Sequence, residues 1–431
     1  MAAPRIRRDP DDVRAAWQEA ASARDFMRRL RMSYGPEAAA RLCEGAGIEY
    51  PAPHWGGYRL QPETPPVEST PADAFDARTK EQRLMDNILT LKKELTAAAR
   101  ASNLLEDILE VARDSFSEPF NPVLREKPPA PRVGKIVGTE DAILAWADWH
   151  GGETVNEVVM HGWNAYDPIL MARRAQYTVD WTIKLLLENH SGTRFETLYV
   201  FHLGDSINGD HLEEQMATNA KPVFESMRMT ANLQAACLMD LARHFDHIVY
   251  VPIPGNHGRR GKKMQWKLPT ETADWLIATM VQDRVSLQEN ICVHVPYEWS
   301  VGIEIRGANH VLNHGTTAAA GGFGGISWYS FQRADGQLTA IEAAHGQRVH
   351  ARWYGHIHQK AEVPMMDGEG EQFIVGSLKG GDEYALEGLR RFAPASQKLV
   401  GCHEDHPVSF RYPLAVWLND RVPSRYEDLV A

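Results

Sequence analysis

Five short segments of this 431-residue chain carry residue types that bind metal. They are "ADWHGG" with Asp148 and His150, "HLGDSINGDH" with Asp205, "PGNHGRR" with Asn256 and His257, "LNHGTT" with His314, and "YGHIHQ" with His356 and His358. Carboxylate, amide and imidazole together suit a borderline divalent ion: manganese first, with iron or zinc also fitting. A calcium site would be all oxygen. Asp148, His150, Asp205, Asn256, His314, His356 and His358 are more ligands than one tetrahedral ion needs, so two divalent ions fit better. Residues two apart in an extended segment point the same way, so Asp148 with His150, and His356 with His358, are expected to converge by strand alternation.

Each segment follows an apolar run, and strand ends are where α/β sheets place ligands. From about residue 138 strands and helices alternate: "AILAWAD", a helix over 166–189, "TLYVFHLGD", a helix over 223–245, "HIVYVPIPGNHG" and a helix over 270–284. Three strand-like runs follow, "CVHVPY", "SVGIEIRG" and "NHVLNHG", then a helix over 329–344 and three more, "RWYGHIHQ", "AEVPMM" and "QFIVGS". Alternation followed by strand runs predicts an α/β domain with mixed sheets over 138–431.

The order D-x-H, G-D, G-N-H, a lone His and G-H-x-H resembles the calcineurin-like metallophosphoesterases, over roughly 140–415. One such motif is weak; five in order, each after a strand, are specific. The resemblance implies a four-layer αββα sandwich with two metals at the sheet edges. Asp148, His150 and His358 would hold one ion, and Asn256, His314 and His356 the other. Asp205 would bridge them, and His257 would face the scissile phosphate. Independently of any family, two ions about 3.5–4 Å apart can activate a water and neutralise charge growing on a phosphoryl group. A histidine near neutral pKa can then protonate the leaving oxygen. One departure stands out: the family's acidic residue after G-N-H is Gly258 here. Asn208, three after Asp205, is expected to orient His257 through its carbonyl, less strongly than a carboxylate would. Asp210 is a further catalytic candidate or a plain turn residue.

Next to the G-N-H loop lies "GRRGKKMQWK", with Arg259, Arg260, Lys262, Lys263 and Lys267. In a chain of net charge -11 this is a local exception that suits a polyanion, with Trp266 able to stack on a base. A solvated surface loop is the plainer reading. The glycine-rich run after His314 reads as a mobile loop beside the site.

The rest of the chain is organised differently. Residues 1–60 read as short helices resembling a helix-turn-helix module, or a small protein-interaction domain; their ten basic and eight acidic residues barely favour DNA. Residues 61–137 combine a linker, a long amphipathic helix at about 80–114 and a Pro-rich strap. The stripe of that helix is either a homodimer seam or packs on the main domain.

Composition sets outer limits. Hydrophobic content of 43% and charged content of 24% describe a globular protein, and the acidic balance argues against one that coats nucleic acid nonspecifically. Cys43, Cys237, Cys292 and Cys402 form no C-x-x-C pair, which fits a reducing compartment such as the cytoplasm. No apolar run is long enough to span a membrane, and none follows the first residues as in a signal peptide. These residues lead to a metal-dependent phosphodiesterase acting on DNA. The alternatives are a protein or small-molecule phosphatase or phosphodiesterase, and a DNA-binding assembly protein whose phosphoesterase domain is weakly active.

Overall fold

Strand β1, Gly138–Trp146, shows how residues 138–431 are layered. Its residues 142–146 are buried on both faces, as in a strand covered on each side. Ala142, Leu144 and Trp146 enter one core, while Ile143 and Ala145, followed by Ala147, enter another. This is the two-residue alternation of an extended chain.

The computed structural model describes residues 9–20, 29–30, 43–44, 46–48, 120–125, 136–318 and 326–431. The expected 80–114 helix, whether a homodimer seam or packed on the main domain, most of the helix-turn-helix-like region and residues 319–325 of the glycine-rich run lie outside the described residues. Within the N-terminal unit, helix α1 spans Pro10–Glu19. Asp9 caps it, accepting from the Asp11 N–H, and Val13 and Ala16 form its buried side.

In the larger unit the remaining strands are β2 (Thr193–His202), β3 (His247–Pro252), β4 (Ile291–Val293), β5 (Ser300–Ile305), β6 (Ala308–Asn313), β7 (Ala351–Tyr354), β8 (Ala361–Pro364), β9 (Glu371–Ile374), β10 (Gln397–Cys402) and β11 (Arg411–Leu414). One six-stranded sheet runs β11-β10-β1-β2-β3-β4, and a five-stranded sheet runs β5-β6-β7-β9-β8. Both are mixed: β1, β2, β3 and β4 are parallel, as are β6, β7 and β9, while β10, β11, β5 and β8 pair antiparallel.

The helices here are α2 (Pro168–Ile183), α3 (Glu213–Thr218), α4 (Val223–Ala242), α5 (Ala273–Arg284) and α6 (Trp328–Ala344). Side chains of α2, α4 and α5 pack with one face of the first sheet, including Met171, Leu233 and Val281. Between the sheets, Phe201, Val251, Leu312, Trp353 and Phe373 interlock. On the far face of the second sheet, Phe331 of α6 meets Tyr354 and Ile374. The order is helices, sheet, sheet, helix, the four layers expected. Residues 120–125 strap onto this body, with the Arg125 N–H donating to Asp240 of α4 at 2.9 Å. Two strands and one helix exceed the sequence reading: β10 and β11 complete the first sheet, and α3 follows the Asp205 loop. Among the described residues no helix is long and apolar enough to cross a membrane.

Candidate metal centre

Parallel register brings the ligand loops to one place. Trp146 pairs with His202, and His202 with Pro252, so the chain leaves β1, β2 and β3 at the same sheet edge. In the second sheet Leu312 pairs with Trp353, so His314 and His356 emerge together. All seven predicted ligand positions lie just past these ends.

The convergence does not come from strand alternation, and this corrects the expectation. Asp148, His150, Asp205, His356 and His358 all have left-handed backbone, with φ of 51°, 47°, 53°, 69° and 61°. For non-glycine residues this conformation costs on the order of 1–3 kcal/mol and persists only where the surroundings impose it. The imposing contacts are visible. The His356 N–H donates to both carboxylate oxygens of Asp148 at 3.0 Å, and the His150 N–H donates to the Asp205 carbonyl at 3.0 Å. A loop turned in this way aims side chains from two strands inward, where an extended chain would carry them past each other.

Three groups of potential ligands result: Asp148, His150 and His358; His150, Asp205 and His257; and Asp205, His314 and His356. Asp205 belongs to two of them. His150 Nε2 and His358 Nε2 face each other at 3.1 Å, and His358 Nε2 is 3.5 Å from Asp148. His314 Nε2 lies 2.9 Å from Asp205 Oδ2 and 2.9 Å from Asn256 Oδ1, so the predicted amide joins the third group. Asp205 Oδ2 is buried, and no donor reaches it in hydrogen-bonding geometry. A buried carboxylate oxygen that faces imidazole nitrogens without a well-aligned hydrogen bond fits a divalent cation better than it fits a packed core.

The electrostatics agree. Burial, then Lys379 and the neighbouring histidines, hold His150 well below its usual range, and burial pushes His356 down to about 3. Both rings are therefore neutral and offer lone pairs. Burial raises Asp205, but His314, His257 and His150 outweigh it and keep the carboxyl well below its ordinary value. Burial likewise lowers His314, and Asp205 more than reverses this, lifting the ring to about 9. A proton and a metal ion thus compete for His314 Nε2.

The far sides of the rings are held as well. His314 Nδ1 meets the Leu203 carbonyl at 2.6 Å. His150 Nδ1 faces Glu153 Oε2 at 3.2 Å, an electrostatic contact without hydrogen-bond alignment, and Glu153 Oε1 accepts from Lys379 Nζ at 2.8 Å. Lys379, only 2% exposed, also bonds Asp382 at 2.5 Å. Glu153, Lys379 and Asp382 carry no signal in the sequence; they are charged residues in separate loops until the fold buries them together.

His257 sits edge-on to His150, with ring centroids 4.5 Å apart, and its N–H donates to Asp205 Oδ1 at 2.7 Å. Asn208 does reach it, by another route: the Asn208 backbone carbonyl lies 2.9 Å from His257 Nδ1. The Asn208 side chain instead donates to Gln215 O, Thr218 Oγ1 and Asn219 Oδ1, fastening α3. Gln215 of that helix is the group missed from sequence: its Nε2 is 2.9 Å from the same Nδ1, while its Oε1 accepts from the Leu212 N–H at 3.1 Å. Asp210 is exposed, and no hydrogen bond joins it to the ring.

Gly258 has a steric reason. A Cβ there would lie 2.9 Å from Asp274 Oδ2 and 3.2 Å from the Ala273 backbone. Asp274, 2% exposed, accepts from the Ser206 N–H at 2.8 Å and the Gly255 N–H at 2.9 Å. The carboxylate that the sequence lacks at 258 is present in the same space, contributed by α5, and it ties the Asp205 and Asn256 loops together.

The basic loop divides. Arg259 turns inward, donating to the Asn256 carbonyl at 2.5 Å and the Gly261 carbonyl at 3.0 Å, and Arg260 pairs with Glu271 at 3.0 Å. Lys262, Lys263 and Lys267 are exposed. Trp266 is half exposed and meets Trp299 edge-on.

No family model matches the chain, and no curated protein matches it. Among solved structures it is similar to a predicted phosphoesterase of Streptococcus pneumoniae (13% identity, 64% of this chain and 97% of that one, TM-score 0.23). It is also similar to zinc-complexed Vps29 of Entamoeba histolytica (12%, 63% and 99%, 0.26) and to the sulfate thiohydrolase SoxB of Thermus thermophilus (11%, 71% and 60%, 0.30). At these identities and scores the likenesses assign no activity to this chain.

Proposed function

We propose that the chain is a hydrolase of phosphoric esters that uses two divalent metal ions, and that its substrate is a nucleic-acid phosphodiester. The observation that carries the first part is Asp205: a buried carboxylate shared by two imidazole groups, whose Oδ2 lies 2.9 Å from His314 Nε2 without a well-aligned hydrogen bond. Asp148, His150 and His358 would hold one ion, Asn256, His314 and His356 the other, and Asp205 both. When bound, such ions supply an activated water and neutralise charge on the phosphoryl oxygens.

The chain's own residues do the rest. His257 is placed to hold a proton at Nε2 for the leaving oxygen. Its Nδ1 has two partners suited to different protonation states. The Asn208 carbonyl can accept a hydrogen bond from Nδ1–H and so supports the imidazolium that can act as acid. The Gln215 amide, held with its NH₂ toward the ring by the Leu212 N–H, supports the neutral ring. Nδ1 of His257 is thus held by a carbonyl and an amide rather than by a carboxylate.

Support for a polyanionic substrate is the exposed trio Lys262, Lys263 and Lys267 on a loop that Arg259 anchors to Asn256. A second reading, a phosphatase or phosphodiesterase for small substrates, is favoured by the internal engagement of Arg259 and Arg260, which leaves fewer free charges. The deciding experiment is manganese-dependent hydrolysis of single- and double-stranded DNA, an aryl phosphodiester and an aryl phosphomonoester. Cleavage of DNA, with a ratio of DNA to aryl-diester kcat/KM that drops in a Lys262, Lys263 and Lys267 triple alanine variant and with salt, is expected. Fast monoester turnover without DNA cleavage would establish the second reading.

A further inference from the structure

A cleft of about 420 Å³ opens between the loops 156–163 and 384–392, lined by His161, Trp163, Arg390, Arg391, Phe392 and Glu387 among others. Its walls belong to the same framework as His150. The Asn156 N–H donates to Glu383 at 2.6 Å, and the Asn164 amide donates to the Lys379 and Gly381 carbonyls at 3.0 and 2.6 Å. Lys379 in turn holds Glu153 behind His150, and Asp382, which Lys379 also bonds, caps the Ala385 N–H at 2.6 Å. The cleft walls are therefore hydrogen-bonded into the framework behind His150 of the Asp148, His150 and His358 group, whereas the lysine loop is anchored at Asn256 of the other group.

The lining is unusual for a surface hollow. Trp163 is 59% exposed, and the rings that touch it, His161 and Phe392, lie at 59° and 62° to it, so none stacks on the indole. Two lining residues that are not glycine, His161 and Arg390, are held at φ 54° and 53°, a conformation that clusters at ligand-binding positions. Among the described residues neither Arg390 nor Arg391 has an ion-pair partner, and Arg391 Nε is buried without a hydrogen bond. Glu387, the carboxylate in the lining, sits 3.9 Å from His161 instead.

An unstacked indole takes a planar ring, and free guanidiniums take a phosphate, for which their planar donor fork is shaped. Phosphate alone would leave Trp163 unused, and an aromatic compound without charge would leave the arginines unused. We propose that this cleft binds one nucleotide of the substrate strand, the base on Trp163 and its phosphate at Arg390 and Arg391, next to the bond that is cleaved. This rests on the nucleic-acid reading of the same site.

The test uses the full-length protein with manganese and short single-stranded DNA carrying 2-aminopurine near the scissile bond. Trp163→Ala is expected to raise KM for the oligonucleotide roughly 5- to 100-fold, the range of one lost base stack, and Trp163→Tyr to restore most of it. Arg390→Ala combined with Arg391→Gln is expected to lower the slope of log affinity against log salt by about one. The 2-aminopurine fluorescence should be quenched by the wild type and less by Trp163→Ala. The aryl diester serves as reference for the metal centre, so what counts is the ratio of oligonucleotide to aryl-diester kcat/KM. Oligonucleotide cleavage with that ratio and the quenching unchanged in all variants overturns the cleft while leaving the proposed activity standing. Equal losses on both substrates also overturn it, since the loop would then merely support the metal site. A wild type that turns over the aryl ester but no oligonucleotide overturns the nucleic-acid reading and the cleft with it.

Discussion

His150 and His314 stand on either side of Asp205, and the chain orients them by different means. The far nitrogen of His314 meets a backbone carbonyl, that of Leu203. The far nitrogen of His150 meets Glu153, a side chain kept in place by buried Lys379, which also bonds Asp382. Their charges differ too: His150 is held neutral by burial and Lys379, while His314 is held charged by Asp205. The support behind His150 can be removed by substitution, whereas the carbonyl behind His314 cannot. A carbonyl belongs to every residue type, so no mutation removes it directly; a carboxylate inside an ionic chain can be removed in one step.

The comparison is abolished at Asp205, the group both halves share. Asp205→Asn is expected to lower turnover by at least 10²- to 10³-fold, given the several kcal/mol that metal chemistry supplies, and to lower content of both ions. Loss of one ion only, measured by elemental analysis, would assign Asp205 to a single half. Next in size is His257→Asn, expected to cut turnover roughly 10²- to 10⁴-fold on a poor leaving group while both ions stay bound. Full activity there would transfer the acid role to another group.

Glu153→Gln separates the halves. It should weaken one of two metal-binding phases by roughly 10- to 100-fold and leave the other in place. A calorimetric titration in which both phases shift together would contradict independent support. Lys379→Met is the harsher probe, since it leaves Glu153 and Asp382 buried without their cation; the expected cost is about 3–5 kcal/mol of stability.

Protons probe the other half. The His314 pKa is raised to about 9 from an ordinary 6.5, so its bound proton stabilises the metal-free fold. That contribution is complete below pH 6.5 and is lost as pH rises through 9. The Tm of the chelator-treated protein should therefore fall over this window. Apparent metal affinity at this half should rise by about tenfold per pH unit up to 9, because the ion must displace the proton. A metal affinity flat from pH 6.5 to 9 in both halves would show that His314 carries no proton to displace.

The smallest effect concerns Gln215. In Gln215→Glu one oxygen can still accept from the Leu212 N–H while the other faces His257 Nδ1. The imidazolium gains a carboxylate partner, and the basic limb of the kcat profile should move up by about 1 pH unit. An unmoved limb would mean that Gln215 does not act on the ring.

Much of this was legible in the sequence. The apolar runs ending in Asp148, Asp205, Asn256, His314 and His356 marked strands, since a buried strand must be apolar on both faces and a ligand must sit where it ends. The seven ligand types followed from residue chemistry alone. The backbone route to convergence was not legible, because left-handed φ at five non-glycine residues is imposed by contacts such as the His356 N–H on Asp148, 208 residues away in sequence. Strand β10 was missed although it lies beside β1: six residues are too few for a periodic signal, and burial on both faces removes the alternation. What surrounds the ligands was decided by tertiary structure. Gln215, Asp274, Glu153 and Lys379 are ordinary polar residues in a linear reading; they acquire partners when segments from different strands and helices are buried together. Arg259 shows the converse, a charge that sequence assigns to a polyanion or to solvent and that the folded loop turns onto a carbonyl. Composition and pattern determine which residues can form a metal centre, because ligand chemistry is a property of the side chain. Which residues orient, neutralise and feed that centre depends on distance, and distances between remote segments exist only in the folded chain.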